Sequence, residues 1–172
     1  MTKNSLFIDE GFEPLLGKDP KVLILGTMPS VQSLKTQEYY GNPRNAFWWI
    51  MSKLCCFDSG LPYSKRVDRI LKNHVAVWDV IASCHRPGSL DSKIDQSTVT
   101  PNRLSELMKT YPSIRCIIFN GQAAEKLFNK FIDHTHWQGK KLTLPSTSPA
   151  NAALTKEDKL KKWLVIKHWL SL

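Results

Sequence analysis

Cysteine and negative charge are both scarce in this chain of 172 residues. The four cysteines, Cys55, Cys56, Cys84 and Cys116, form no C-x-x-C pair and no Cys/His array. That spacing argues against zinc and iron–sulfur sites. Cys116 lies in an apolar run and reads as a core residue. Long apolar stretches are missing too, and none approaches the ~20 residues that span a bilayer. Residues 1–21 mix acids, prolines and glycines without the continuous apolar block of a secretory signal. A soluble, cytoplasmic protein with reduced thiols and no membrane partner is therefore expected. The sequence also lacks a G-x-x-x-x-G-K-[ST] phosphate loop, a G-x-G-x-x-G turn and a G-x-S-x-G nucleophile elbow. His134-x-His136 has no further ligand beside it and reads as solvated surface, so no metal site and no cofactor are expected.

The shortage of acids matters because bases are plentiful. Lys and Arg number 24 against 15 Asp and Glu, for a net charge of +9. Such an excess favours a polyanionic partner, nucleic acid ahead of an anionic membrane. The other reading is an even spread of cations that serves solubility. At 42% apolar and 23% charged residues the composition is that of an ordinary globular protein. The length fits one domain over residues 1–172, able to bury roughly 70% of its unfolded surface without disulfides or metal. No feature calls for more than a monomer.

Residues 1–20, punctuated by Gly11, Pro14, Gly17 and Pro20, read as irregular. Buried strands are expected at 21–26, 75–80 and 114–119, with a short fourth at 141–144. Helical spacing links Phe47, Ile50, Met51, Leu54 and Cys55, with Pro43 suited to the helix start. Further helices are expected over 65–73, after Thr100-Pro101 through Leu104, Leu107 and Met108, and after Asn120-Gly121 through Ala124, Leu127, Phe128 and Phe131. A last helix opens at Thr155, where Thr155 and Asp158 are spaced as a capping box. After the second strand a long polar loop is expected, running through Gly88 and Ser89. Strands alternating with helices indicate an α/β domain with a short, mostly parallel sheet. In such sheets ligands bind beyond the carboxyl ends of the strands. Three loops of unusual composition follow those ends, at 26–45, 79–92 and 145–151.

Each loop has a chemical and a structural reading. Tyr39 and Tyr40 precede a helix, where aromatic faces can stack on bases or simply pack, whereas Phe47 and Trp48 read as helix core. Asp79 stands where buried apolar residues stop, as a functional acid or as a turn cap. The segment Ser146-Thr-Ser-Pro-Ala-Asn151 is small and hydroxyl-rich, suited to gripping phosphates or to capping the next helix.

Five segments in series carry a more specific signal. They are Gly26-Thr-Met-Pro-Ser30 with Ser33-Leu34, Tyr39-Tyr-Gly-Asn-Pro-Arg-Asn-Ala-Phe-Trp48, residues 79–92, Phe119-Asn-Gly121, and Ser146–Asn151. In this order and spacing they resemble the uracil-DNA glycosylase superfamily, and within it the DNA-deoxyinosine (hypoxanthine-DNA) glycosylase branch. Asn42 stands where relatives usually carry His. The resemblance implies a three-layer α/β/α sandwich. It also implies monofunctional hydrolysis of the N-glycosidic bond of a deaminated base flipped out of DNA, as in base excision repair. DNA containing deaminated bases would be the partner, with hypoxanthine the favoured base.

Residue by residue, the resemblance implies that Asn45 supplies the catalytic amide, since Met28 occupies the position where many members place a water-activating Asp, Asn or Glu. It implies that Tyr40 stacks on the base and that Asp79 reads it, with backbone N–H groups near Thr27 and Met28 as donors. Ser146, Thr147, Ser148, Ala150 and Asn151 would contact DNA. Ala150 or Asn151 stands where other members place a bulky residue that replaces the extruded base. That is a poor wedge, which implies reliance on loosened sites or on a wedge from elsewhere. The alternatives are a mismatch-type uracil-DNA glycosylase, a non-catalytic nucleic-acid-binding module and a hydrolase of free nucleotides.

Overall fold

A computed structural model describes residues 7–172. Its strands are β1 (Asp9–Glu10), β2 (Val22–Gly26), β3 (Val75–Asp79), β4 (Ile81–His85), β5 (Asp95–Pro101), β6 (Cys116–Asn120) and β7 (Lys140–Leu144). The helices are α1 (Val31–Thr36), α2 (Phe47–Leu54), α3 (Tyr63–Lys72), α4 (Leu104–Thr110), α5 (Gln122–Phe131), α6 (Lys156–Trp163) and α7 (Ile166–Leu170). No helix among the described residues is long and apolar enough to cross a membrane.

The centre is a four-stranded sheet in the order β3-β2-β6-β7, with every pair parallel. Each residue of β2, β3 and β6 is buried, as strands covered on both faces must be. The link from β2 to β3 contains α1, α2 and α3, and the link from β6 to β7 contains α5. These two links step across the sheet in opposite directions. Right-handed crossovers therefore put their helices on opposite faces, giving the three-layer α/β/α sandwich. Helix α5 packs on β6 and β7, α3 packs on β3, and α6 joins the layer of α2 by packing against it. Both sheet edges are guarded. Lys140 and Lys141 lie exposed on β7, and Leu15 exchanges backbone hydrogen bonds of 2.8 and 3.0 Å with Val77 on β3.

Several expectations need correction. The segment read as irregular contains β1, which pairs antiparallel with β4, and the Leu15 bridge; its residues 1–6 lie outside the described residues. The polar stretch 81–99 is not one loop. It supplies β4 and most of β5, which with β1 form a second, antiparallel sheet in the order β1-β4-β5. Its register shifts twice between β4 and β5, so no clean alternation of polar and apolar residues marks it. Thr100 and Pro101 end β5 instead of opening α4. Helix α2 starts at Phe47, not at Pro43, because residues 42–45 close a turn, with Asn45 N–H donating to the Asn42 carbonyl at 2.9 Å. Helix α1, with no apolar stripe to announce it, was not expected. The C-terminal helix is two short ones, α6 and α7, broken at Leu164 and Val165.

The expected capping box is present. Thr155 Oγ1 accepts from Asp158 N–H at 3.1 Å, and Asp158 Oδ2 accepts from Thr155 N–H at 3.4 Å. Helix α6 carries Trp163, which is fully buried and donates its indole N–H to the Pro145 carbonyl at 2.9 Å. Loss of the cap is therefore felt at the start of the 145–151 loop. Thr155→Ala should lower stability by about 1 kcal/mol, read as an earlier midpoint in urea unfolding with an unchanged slope.

Candidate active site

The parallel register sets Gly26 opposite Asp79 and Asn120 opposite Leu144, so the carboxyl ends of four strands finish at one level. The loops beyond them enclose a cleft of about 690 Å³. Thr27, Met28, Tyr40, Asn45, Asp79, Ser146, Thr147, Ser148, Ala150 and Asn151 all line it. Residues up to 124 positions apart in sequence, from Thr27 to Asn151, thus meet at one opening.

Asp79 is the unusual group. It is 5% exposed, and its Oδ2 is shut away from solvent without a hydrogen-bond partner. Its backbone carbonyl accepts from the Asn102 side-chain amide at 2.8 Å, which fixes the residue at the strand end. Loss of hydration pushes the carboxyl up to about 7, the nearby charge of Asp91 adds to the rise, and Arg86 opposes it. Gly26 makes room for this acid. A Cβ there would lie 2.6 Å from Asp79 Oδ1 and 3.1 Å from the Tyr40 hydroxyl.

Tyr40 stacks on Phe47, with ring centroids 3.9 Å apart and planes inclined by 20°. Its backbone is left-handed, at φ 53°, which is strained for a tyrosine. Neighbouring bonds hold it there. Tyr39, buried, donates its hydroxyl to the Glu13 carbonyl at 2.8 Å, and Ser33 Oγ accepts from Gly41 N–H at 2.9 Å. Both tyrosines line the cleft, but the Tyr39 hydroxyl is spent on the Glu13 carbonyl, which makes it a structural residue. The Tyr40 hydroxyl is buried and unpartnered, and burial raises its pKa, with the Asp79 charge adding to the rise.

Asn45 is half-buried at the start of α2. Its side-chain oxygen accepts from Phe47 N–H at 3.0 Å, which sets the plane of the carboxamide against the helix end. A carboxamide oxygen has two lone pairs, and this bond uses one. The following residue, Ala46, donates its N–H to the Thr147 carbonyl at 3.0 Å, so the Asn45 turn and the 145–151 loop move as one.

That second loop is clipped from below. Asn120 Nδ2 donates to Thr147 Oγ1, and Thr147 N–H donates to Asn120 Oδ1, both at 2.9 Å. Gly121, at φ 96°, lets the chain pass close under Ser146, where an added Cβ would sit 3.0 Å from the serine Cβ. Lys159 reaches from α6 to donate to the Ser148 carbonyl at 3.1 Å; the side chain is buried, and desolvation lowers its pKa. Residue-level reading missed Asn120, Asn102, Arg86, Asp91 and Lys159. A polar residue ending a wholly apolar strand was the available signal for Asn120, as it was for Asp79. Arg86, 4% exposed, donates to the carbonyls of Pro29 at 2.5 Å and Gly88 at 2.9 Å. Asp91 Oδ1 accepts from Thr27 Oγ1 at 2.6 Å. Much of Asp91 is exposed, but its carboxylate tucks against the cleft wall, where desolvation raises its pKa against the pull of Thr27 and Arg86. Among the described residues no group of three or more His, Cys, Asp or Glu side chains could hold a metal ion.

Comparison with known proteins gives a consistent picture. A family model described as the uracil DNA glycosylase superfamily matches residues 14–172. A hypoxanthine DNA glycosylase of Methanosarcina acetivorans is 33% identical over 162 residues, covering 94% of this chain and 99% of the relative. A hypoxanthine DNA glycosylase of Methanosarcina barkeri is 31% identical over 114 residues, covering 66% of this chain and 71% of the relative. A solution NMR structure from Methanosarcina acetivorans, described as a candidate uracil DNA glycosylase, superposes with a TM-score of 0.81 at 31% identity. It covers 96% of this chain and all of its own.

The buried acid has a thermodynamic signature. The Asp79 carboxyl of the folded protein holds its proton to about pH 7, against 3.8 for a free side chain. Between these values the folded state binds more protons, so this residue's contribution to stability falls as pH rises and stays lost above pH 7. Asp79→Asn removes the effect. Urea unfolding should find the variant gaining on the parent from pH 5 to pH 8, by on the order of 3 kcal/mol at most. Parallel stability curves would exclude the assignment.

Proposed function

The chain belongs to the uracil DNA glycosylase superfamily, and we propose that within it this protein hydrolyses the N-glycosidic bond of hypoxanthine in deoxyinosine-containing DNA, without a covalent enzyme intermediate. The observation that carries this reading is the buried, incompletely paired carboxyl of Asp79 in a cleft at the strand ends. An acceptor in a nearly dry site selects a ligand that brings its own N–H. Hypoxanthine presents N1–H beside O6. Ionised Asp79 accepts from N1–H, and the backbone N–H groups of Thr27 and Met28, just past the last residue of β2, are the donors for O6. Uracil carries the same donor–acceptor pair, but a cleft of about 690 Å³ is roomy enough for a purine with its sugar. The Tyr40 ring, backed by Phe47, offers a rigid platform for the base.

Bond cleavage leaves positive charge on the sugar and an electron pair on the departing base. Water then adds hydroxide to C1′, and its proton goes to the base. A carboxamide cannot deprotonate water, but the free lone pair of Asn45 Oδ1 can hold one in line with the sugar carbon, and the cationic sugar needs no stronger nucleophile. The hydroxyls of Ser146 and Ser148, with the backbone of Ala150 and Asn151, serve as sequence-independent contacts to the phosphates, whereas Thr147, 1% exposed and bonded to Asn120, is a poor phosphate contact and positions the loop instead. Among the described residues, Lys72 and Arg103 alone of the lysines and arginines pair with an Asp or Glu side chain within 4 Å, which leaves most of the cationic surface available to DNA.

Duplexes carrying a single deoxyinosine, deoxyuridine or deoxyxanthosine, treated with alkali after incubation, test the reading directly. Strand breaks should be strongest at deoxyinosine. Binding without breaks at any lesion would leave a nucleic-acid-binding module instead. Asn45→Ala should lower the single-turnover excision rate by about a hundredfold or more while leaving DNA affinity within a few-fold.

The Asp79 proton predicts how base choice depends on pH. Ionised Asp79 accepts from hypoxanthine N1–H and repels the N1 lone pair of adenine, whereas the protonated acid donates to adenine N1. Product inhibition by the two free bases should thus favour hypoxanthine strongly at pH 8 and much less at pH 6. In Asp79→Asn that ratio should not change with pH.

A further inference from the structure

If the base leaves the helix, something apolar must hold the gap it vacates. The 145–151 rim cannot: its exposed tip is Ala150, a single methyl group. Of the other apolar side chains that line the cleft, Met28 and Tyr39 are buried at 7% and 3% exposure, Pro29 is buried, Pro149 is half-buried, and Tyr40 is packed on Phe47. Leu90 differs. It lies in the rim formed by the 86–93 segment, lines the cleft, and is 54% exposed. An isobutyl group held in water forgoes about 1–2 kcal/mol of burial; other apolar side chains of the chain are also exposed, and Leu90 is set apart by its place on the rim of the cleft.

The loop beneath it is fixed, which a wedge requires. Arg86 holds the Gly88 and Pro29 carbonyls, and Ser89 Oγ accepts from Val31 N–H at 2.9 Å. The Leu90 carbonyl accepts from Lys93 N–H at 3.0 Å, closing the 3-10 turn Asp91–Lys93. Asp91, the next residue, is tied to Thr27 in the cleft wall. Three successive residues are thus anchored or capped, with only the Leu90 side chain turned outward.

We propose that Leu90 is the side chain that enters the duplex and fills the space of the extruded base. This inference rests on the glycosylase reading of the cleft and adds to it the residue that secures extrusion. One base step is about 3.4 Å thick, a gap that a leucine side chain fills and an alanine methyl does not. The 86–93 segment follows β4 and the 145–151 segment follows β7, an edge strand of the parallel sheet, so the wedge would act from a different wall of the cleft than Ala150.

Extrusion from a duplex costs a few kcal/mol and from a single strand much less, so the two substrates separate a wedge from a general defect. Single-turnover excision of hypoxanthine should be measured on a deoxyinosine·thymidine duplex and on the same lesion strand alone. Leu90→Ala should slow the duplex reaction by about tenfold or more and the single-strand reaction by less than about twofold. Leu90→Met, which restores bulk, should recover most of the duplex rate. A 2-aminopurine placed opposite the lesion should brighten on binding the parent protein and not on binding Leu90→Ala. Equal slowing on both substrates, or an unchanged duplex rate, overturns the wedge while leaving the glycosylase reading intact. Absence of excision by the parent protein on both substrates overturns both.

Discussion

One carboxyl group that is denied its full hydration governs this molecule. Asp79 ends a strand of five buried residues and is itself 5% exposed. The acid fits because Gly26 on the neighbouring strand has no Cβ to collide with it, and because the Asn102 amide secures its carbonyl. A partly unpaired buried acceptor is destabilising, and folded proteins keep few of them. Here the cost falls at the floor of a cleft, where a ligand N–H can offset it. The same deprivation pushes the carboxyl up to about 7, and in the proposed reading this couples base choice to pH.

The rest of the site consists of loops kept from wandering. Asn120 clips Thr147, Lys159 takes the Ser148 carbonyl, Ala46 ties the Asn45 turn to Thr147, and Arg86 gathers the first and second loops. Most of these bonds run from a buried side chain to a backbone group, so each fixes a peptide plane as well as a distance. Such a framework suits chemistry that depends on orientation more than on strong acids or bases. In the proposed reaction a neutral amide would be effective only with its water held in line with the sugar carbon, and a preorganised frame is the means to that alignment.

Much of this was legible in the residues. The wholly apolar runs at 22–25, 75–78 and 116–119 announced a parallel sheet, and Asp79 stood out as an acid where an apolar run stops. The Thr155–Asp158 spacing gave its helix cap correctly. Other parts were silent for physical reasons. Helix α1 has six residues and no apolar stripe, and β5 is made of polar residues whose partner strand is shifted in register. Nothing local says that the Arg86 guanidinium will be 4% exposed or that the Leu90 side chain will stand 54% exposed beside the cleft.

Local pattern by itself determined the α/β alternation, the cap, the cationic balance and the set of segments that carry the family resemblance. Those properties depend on neighbours in the chain, on residue type or on order, all of which are written along the sequence. Tertiary structure alone decided that Asp79 loses its solvent, that Asn45 spends one lone pair on Phe47, that Lys159 belongs to the 145–151 loop, and that Leu90 faces outward beside the cleft. Each of these is fixed by where separate segments cross in space. Desolvation and hydrogen-bond geometry are properties of that crossing, and no residue carries them alone.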